Sequence, residues 1–585
     1  MRNPVVDTVG SGFLKASAYR RHWPVGIVLA IAAVLVLTRL GQDYLWEDEG
    51  DTAVFAANIV KDGLPTAWDG TALIDSDLGN RLNDSLVMVS HPWLQYYLTA
   101  ASFVAFGQTP WAARFPFALL GLATIALTYV LVWQATRNRW TAAAAAGLLT
   151  VSVQFLLYSR QSRYYTLSAA LTCLLVWLFL RLRSWKSATA FAAIAALNFH
   201  SHPIGIAPVG AMGLLTLTSG PFRESRRWFW MAMPAVILVT APWLWIASGG
   251  YSEATTFIEH AWQFLPRLGQ FAIECGSVTS LPAVAVIVAV LAWRSRRPVF
   301  SPDERRLAVV LAVTVAGFAL VMAVTQSRET IWTTGVRYTP AVLPFGVMLA
   351  AITMARVANG RRSLAVALIL VLAFTKFGRL TPWTFSFPSI VLRDQTASVS
   401  FHNPERTIDR VLRTGQLAFV QSIGQPNVGT TGRIVEYLQA HAQPGDIVLT
   451  NYAWEPLYFH TRLPLAMTVL SSYPIYQAAK ARGLPDYVFR ANDARWIVWR
   501  KAWGSYRGQS IDQVLARLGE ERMQATPVIT LQETLWENRE NLHFRRFANG
   551  RYIYPWHDEV PATVIYRVEE AGPRSPGTGG RPSTH

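Results

Sequence analysis

Four carboxylates crowd one short stretch of this chain, Tyr44-Leu45-Trp46-Glu47-Asp48-Glu49-Gly50-Asp51. Neighbouring like charges raise the cost of ionising all of them. Such a cluster fits a cation, a metal or a proton-transfer role that compensates for the repulsion. Asp48 or Glu49 could act as general base toward an alcohol. Glu49 and Asp51 could hold a hard divalent ion such as Mg2+ or Mn2+, which prefers oxygen ligands. The plainer alternative is a solvated acidic loop capping a helix over Thr52–Val60. Two other Asp-Glu pairs look ordinary. Asp303-Glu304 follows Ser301-Pro302 and opens a helix, where acids oppose the dipole. Asp558-Glu559 lies far along the chain.

Arginines recur where the same face is expected. Arg160 and Arg163 stand in Tyr158-Ser159-Arg160-Gln161-Ser162-Arg163-Tyr164-Tyr165, and Arg328 and Arg337 flank a later turn, with Tyr338 beside the second. Guanidinium matches phosphate geometry, so a lipid-linked phosphate would account for Arg160, Arg163 and Arg337. Snorkelling, or pairing with loop acids, is the alternative. His91, His200 and His202 map to this side as well. They could line a cavity or bind metal, or be ordinary histidines at helix ends. Asp51, His91, Tyr164 and Tyr338 complete the candidate set.

The elements that position these groups belong to a membrane. The chain has 585 residues, 52% of them hydrophobic, and a mean hydropathy of +0.24. A bilayer crossing takes roughly 20 apolar residues. Candidate spans run Pro24–Leu40, Ala112–Trp133, Trp140–Tyr158, Tyr164–Leu182, Ser187–Phe199, Pro203–Thr218, Trp228–Ile246, Val278–Trp293, Leu307–Thr325, Tyr338–Ala355 and Leu364–Phe377. This predicts a mainly α polytopic bundle of about eleven spans. The net charge of +17 is spread over loop clusters such as Arg223/Arg226/Arg227 and Arg294/Arg296/Arg297. No single basic patch forms, which argues against nucleic acid. By the positive-inside rule these clusters are cytoplasmic in a plasma (inner) membrane. The N-terminus then lies inside, and the chain beyond about Phe377 lies outside. His91–Phe106 reads as a helix along the outer interface. Cys173 and Cys275 give no disulfide framework.

The expected organisation is a cytoplasmic start (1–23), a membrane domain (24–380) with an outer loop at 44–110, an extracytoplasmic α/β domain (381–570) and a disordered tail (571–585). In the α/β domain, Ile447–Thr450, Arg495–Trp499, Pro527–Leu531 and Thr563–Val568 read as strands. Arg433–Ala442 and Ile511–Leu518 read as helices.

An ordered set of short motifs resembles the polyprenyl-phosphate-sugar-dependent membrane glycosyltransferases. These are the glycosyltransferase 39, or dolichyl-phosphate-mannose-protein mannosyltransferase-like, family, relatives of the lipid A aminoarabinose transferases. The pieces are Trp46-Glu47-Asp48-Glu49-Gly50, Ala56-Ala57-Asn58-Ile59, Ser90-His91-Pro92-Trp93, Ala112-Ala113-Arg114-Phe115-Pro116, Ser159 to Tyr165, and Arg337-Tyr338. The resemblance implies a GT-C type bundle whose catalytic base is Asp48, with Glu49 beside it. It also implies a polyprenyl-phosphate sugar donor, and a glycan, lipid or protein hydroxyl as acceptor. The aminoarabinose transferases carry a second acid where this chain reads Arg163-Tyr164-Tyr165-Thr166. The competing classes are a transporter or flippase for a lipid-linked sugar, an oligosaccharide transferase or ligase, and a non-enzymatic receptor. A transporter would place acids within its spans, and here they collect outside.

Overall fold

The computed structural model describes residues 22–74, 79–248, 264–294, 298–325, 341–379, 391–394, 397–400, 415–424, 429–452, 454–501, 509–532 and 562–570. The helices before the soluble domain are α1 (Trp23–Leu37), α2 (Glu47–Asp62), α3 (Leu94–Phe106), α4 (Pro110–Thr136), α5 (Arg139–Thr150), α6 (Val153–Ser159), α7 (Tyr165–Phe179) and α8 (Trp185–Ser201). They continue with α9 (Ile206–Thr218), α10 (Arg223–Ser248), α11 (Phe264–Val278), α12 (Leu281–Arg294), α13 (Pro302–Thr325), α14 (Leu343–Ala358) and α15 (Arg362–Phe374).

Helix α4 is central. Pro110 pre-sets the first turn, and the Thr109 hydroxyl accepts from the Ala112 N–H at 3.1 Å, so a donor orphaned at the helix start is satisfied. Its 27 residues reach about 40 Å at the usual rise. Among the described residues, three helices are long and apolar enough to cross a bilayer: Pro110–Thr136, Gly220–Ile246 and Pro302–Val324. The α5–α6 pair makes a fourth if taken together. That is fewer full-length crossings than the eleven expected. Hydropathy runs on through breaks that the backbone makes. The span expected over Trp140–Tyr158 is one such case, bent by 69° between α5 and α6. The carbonyl of Val151, at the break, accepts from Gln416 Nε2 at 2.8 Å.

One apolar core runs through the bundle and joins Ile125 and Tyr129 of α4, Leu149 of α5, Phe179 of α7, Phe191 of α8 and Met348 of α14. Beyond α15 come the paired strands β1 (Val391–Asp394) and β2 (Ala397–Ser400), then α16 (Gly415–Gly424), α17 (Thr430–His441), β3 (Val448–Thr450), α18 (Trp454–Thr461) and α19 (Tyr476–Ala481). The chain goes on through β4 (Trp496–Arg500), α20 (Ile511–Glu520), β5 (Met523–Leu531) and β6 (Thr563–Glu570). Strands β3-β4-β6-β5 form one mixed sheet, parallel only between β3 and β4. Pro527 has no N–H to donate, and the β5–β6 register slips by one residue between Pro527 and Ile529.

A second apolar core ties this domain to the outer helices. It gathers Phe55 of α2, Tyr96 and Phe103 of α3, Tyr458 and Phe459 of α18, Trp496 of β4 and Ile565 of β6. Phe55 is fully buried, which is worth about 1.5–3 kcal/mol. Phe103 and Phe459 stack at 6.1 Å. The Leu45 N–H donates to His460 Nε2 at 3.1 Å. Burial first, then Arg114 and Arg462, push the His460 pKa down to about 3, so its ring is neutral and free to accept.

Candidate active site

The acidic stretch is not a solvated loop. Helix α2 begins at Glu47, so Glu47, Asp48 and Glu49 occupy its first turn and Asp51 follows, and Glu49 and Asp51 are buried. Successive helical residues point about 100° apart, and the four side chains therefore separate.

Glu49 points inward and is fully engaged. Arg114 Nε donates to Oε1 at 2.8 Å, Arg114 Nη2 to Oε2 at 2.6 Å, and the Ser162 N–H to Oε1 at 2.7 Å. The rest of the Arg114 guanidinium donates to the carbonyls of Leu40, Asp43 and Tyr44 at 2.8–3.1 Å. This bidentate pair binds α2 to α4. The roles expected for Glu49, catalysis and metal holding, meet a carboxylate whose oxygens are already taken. Among the described residues, no three His, Cys, Asp or Glu side chains converge as metal ligands would. No step is assigned to a divalent ion.

Arg160 is similarly committed. Its Nη1 donates to the carbonyls of Leu35, Val36 and Thr38 at 3.2, 2.9 and 2.8 Å, and Nη2 to that of Arg39 at 3.2 Å. It caps the end of α1, whose last carbonyls have no partner within the helix. Arg160 thus has a structural part in the fold, besides the phosphate contact expected of it.

Asp48 and Asp51 share the other face of α2, three residues apart. Arg163 lies between them, with Nη2 3.4 Å from Asp48 Oδ2 and Nη1 3.4 Å from Asp51 Oδ2. These separations are well beyond the 2.7–2.9 Å of a tight charged pair. Arg163 Nε and Asp51 Oδ1 are buried and have no hydrogen-bond partner among the described residues. The side chain of Asp48 remains 24% exposed, against 4% for Arg163. Asp48 is thus the accessible carboxylate, backed by a buried cation. Burial pushes the Asp51 carboxyl up to about 6, with Asp48 adding to the rise and Arg163 and Arg81 opposing it.

Next to Arg163 stands a row of rings. Its guanidinium carbon is 5.7 Å from the Tyr164 ring centre, Tyr164 stacks on His202 at 4.3 Å, and His202 meets His91 at 6.1 Å. His91 Nδ1 is 2.9 Å from Ser90 Oγ. The structure so joins His91, Tyr164 and Arg163 from distant parts of the chain. His200 turns away, toward the Val239 carbonyl. Arg328, Arg337 and Tyr338 lie outside the described residues.

The soluble domain closes the site. An ideal Cβ at Gly50 would fall 2.5 Å from Pro456 N and 2.9 Å from Glu455 C. Only glycine permits that approach of α18 to α2. Glu455 is 2% exposed. Its pKa is held well above the carboxylate range by burial and then by Glu47, Asp51 and Asp48. Glu47 is raised by burial and Asp48, with Tyr452, Arg500 and Arg81 opposing.

Sequence reasoning missed Arg81, Arg114, Glu455 and Arg500. An arginine inside an apolar helix is a functional signal, and Arg114 carried it. Nothing near Glu455 in the sequence tied it to a helix some four hundred residues earlier.

Comparison with known proteins gives a sequence match to the family described as dolichyl-phosphate-mannose-protein mannosyltransferase over residues 90–246. The match includes Arg114, Arg160 and Arg163 but begins after Asp48. In structure, the chain resembles ArnT from Cupriavidus metallidurans bound to undecaprenyl phosphate, and the same protein in the apo state. Each has a TM-score of 0.52 at 15% identity, covering 93% of this chain and 97% of ArnT. This likeness shows the fold, the GT-C type. The Archaeoglobus fulgidus oligosaccharyltransferase in complex with Zn and sulfate matches with a TM-score of 0.46 at 11% identity, covering 86% of this chain and 71% of its own. No curated protein matches the chain in sequence.

Proposed function

We propose that this chain is an inverting membrane glycosyltransferase, which moves a sugar from a polyprenyl-phosphate carrier to an extracytoplasmic hydroxyl. The observation that carries the proposal is Asp48: an accessible carboxylate 3.4 Å from a buried arginine, in a fold shared with a protein crystallised with undecaprenyl phosphate. The chain crosses the inner membrane about eleven times, starting in the cytoplasm. Its soluble domain stands outside and covers the site.

An Asp48 oxygen removes the proton of the acceptor hydroxyl as that oxygen attacks the anomeric carbon. The bond from that carbon to the phosphate oxygen breaks with inversion, and its electron pair leaves on the phosphate. Arg163 meets the growing charge. Its long contacts to Asp48 and Asp51, and its unpartnered Nε, leave capacity for an anion. A fixed cation in a partly dry site stabilises a developing phosphate without reorganising. Arg337 is the second phosphate ligand of this reading. Tyr164 and His91 give the sugar a ring surface. Acids that gather on α2 and α18, outside the long apolar helices, favour surface chemistry over translocation.

The test uses the full chain in nanodiscs, supplied with a panel of undecaprenyl-phosphate sugars and membrane acceptors. Sugar transfer is expected, and it should be lost in Asp48→Asn. Transfer by Asp48→Asn at the wild-type rate ends the base assignment. Orientation is checked separately in intact cells with Asp84→Cys and an impermeant thiol reagent, since both native cysteines are buried. Protection from outside would overturn the topology.

A further inference from the structure

Where α18 lies on α2 at Gly50, Glu455 comes within electrostatic reach of Glu47, Asp48 and Asp51, yet the cations there are unevenly shared. Arg163 is in contact with Asp48 and Asp51. Arg81 and Arg500 act on Glu47, together with Tyr452, and Arg81 also acts on Asp51. The charges that act most on Glu455 are the carboxylates Glu47, Asp51 and Asp48. Glu455 is nonetheless buried, and its Oε2 has no hydrogen-bond partner among the described residues.

We propose that Glu455 of the soluble domain is a positioning residue for the transfer: lodged over Gly50, it closes the acidic end of the site and acts on the acceptor through Asp48. This rests on reading Asp48 as the base. The argument begins with geometry. Without a Cβ at residue 50, the backbone of Glu455 and Pro456 lies directly on α2, which leaves the Glu455 carboxyl no route to water. A buried carboxyl among carboxylates keeps its proton, and its raised pKa agrees. Neutral, it adds no fourth negative charge. Asp48, with Arg163 beside it and partial access to solvent, then ionises next to one neutral neighbour. Titratable groups whose surroundings drive their pKa values apart take different roles in this way.

Two consequences follow, one independent of the reaction. A group whose folded-state pKa is raised contributes stability that is fully present below the ordinary carboxylate range and is lost as pH rises through the folded value. Without substrate, wild-type thermal stability should therefore fall as pH rises above the ordinary carboxylate range. Glu455→Gln keeps the shape and stays neutral, so it should flatten that fall and unfold at a higher temperature than wild type on the alkaline side. In the transfer reaction, wild type is expected to show an alkaline fall in kcat that Glu455→Gln lacks. The ratio of kcat at about pH 9 to that at about pH 6 should then rise at least threefold. Glu455→Asp keeps an acid but withdraws it by one methylene. It should retain the alkaline fall and raise the acceptor KM by about tenfold.

A Glu455→Gln protein with the wild-type pH profile, or one less stable than wild type at every pH, overturns the proposal. If that variant does not fold, a Glu455→Asp protein with wild-type KM does the same. Should Asp48→Asn prove fully active while Glu455→Gln still flattens the stability curve, the function proposed above fails and the docking role stands.

Discussion

The two sides of helix α2 treat the same chemistry in opposite ways. On the inner side, Glu49, Arg114 and Arg160 are saturated, with contacts mostly of 2.6–3.2 Å to carboxylate or backbone oxygens. On the outer side, Arg163 sits 3.4 Å from Asp48 and Asp51, and Arg163 Nε, Asp51 Oδ1 and Glu455 Oε2 lack hydrogen-bond partners among the described residues. Adjacent acids on one helical turn thus divide between holding the fold and facing a ligand. A buried charge that is completely paired is fixed in place. One that is under-paired has free energy to gain from an incoming group.

The largest effect should come from breaking the inner side. Arg114→Ala leaves Glu49 buried without its cation, held only by the Ser162 N–H, at a cost of about 3–5 kcal/mol. We expect a large drop in unfolding temperature and in yield, with activity lost along with folded protein. Asp48→Asn makes the opposite change. Activity should fall by about 10²–10⁴-fold, the usual worth of a general base, while the unfolding temperature holds. If both quantities collapse in Asp48→Asn, the division between the two sides is wrong. Smaller, and confined to binding, is Arg163→Lys. An ammonium is a point charge and cannot bridge two carboxylates and a phosphate as a guanidinium fork does. Undecaprenyl phosphate itself should bind about tenfold more weakly, or about 1.4 kcal/mol, as read by titration. The smallest effect is that of pH on Asp51, pushed up to about 6. Its contribution is intact below the ordinary aspartate range and is lost as pH rises through about 6. Asp51→Asn should gain thermal stability relative to wild type above that pH and not below about pH 4.

Much of the outer side could be read from the sequence, because its acids are neighbours in the chain. What sequence could not do was sort them. Asp48 and Glu49 are chemically alike, and their fates depend on which faces Arg114 across a helix interface. Arg160 and Arg163 posed the same problem, being three residues apart with equal claims on a phosphate. The break between α6 and α7, where both stand, separates them, with one under α1 and the other toward α2. No proline or glycine marks the bend between α5 and α6 at Val151-Ser152, so hydropathy ran a single span through it. The small domain was easier. Ile497, Val498, Val564 and Ile565 belong to short apolar runs that favour strands, and each is buried in the sheet. The docking of that domain, and with it Glu455, depends on long-range packing that no local pattern encodes.

The grip of Arg160 on α1 has a further consequence. The carbonyl end of the first membrane helix is fastened to the segment that also carries Ser162 and Arg163, two residues from the ion-pair knot. A hydrophobic helix normally answers a thinner or thicker bilayer by tilting or sliding. Here such a movement would be passed on to the segment that carries Arg163. On the function proposed above, transfer is then expected to vary with the thickness of the surrounding bilayer.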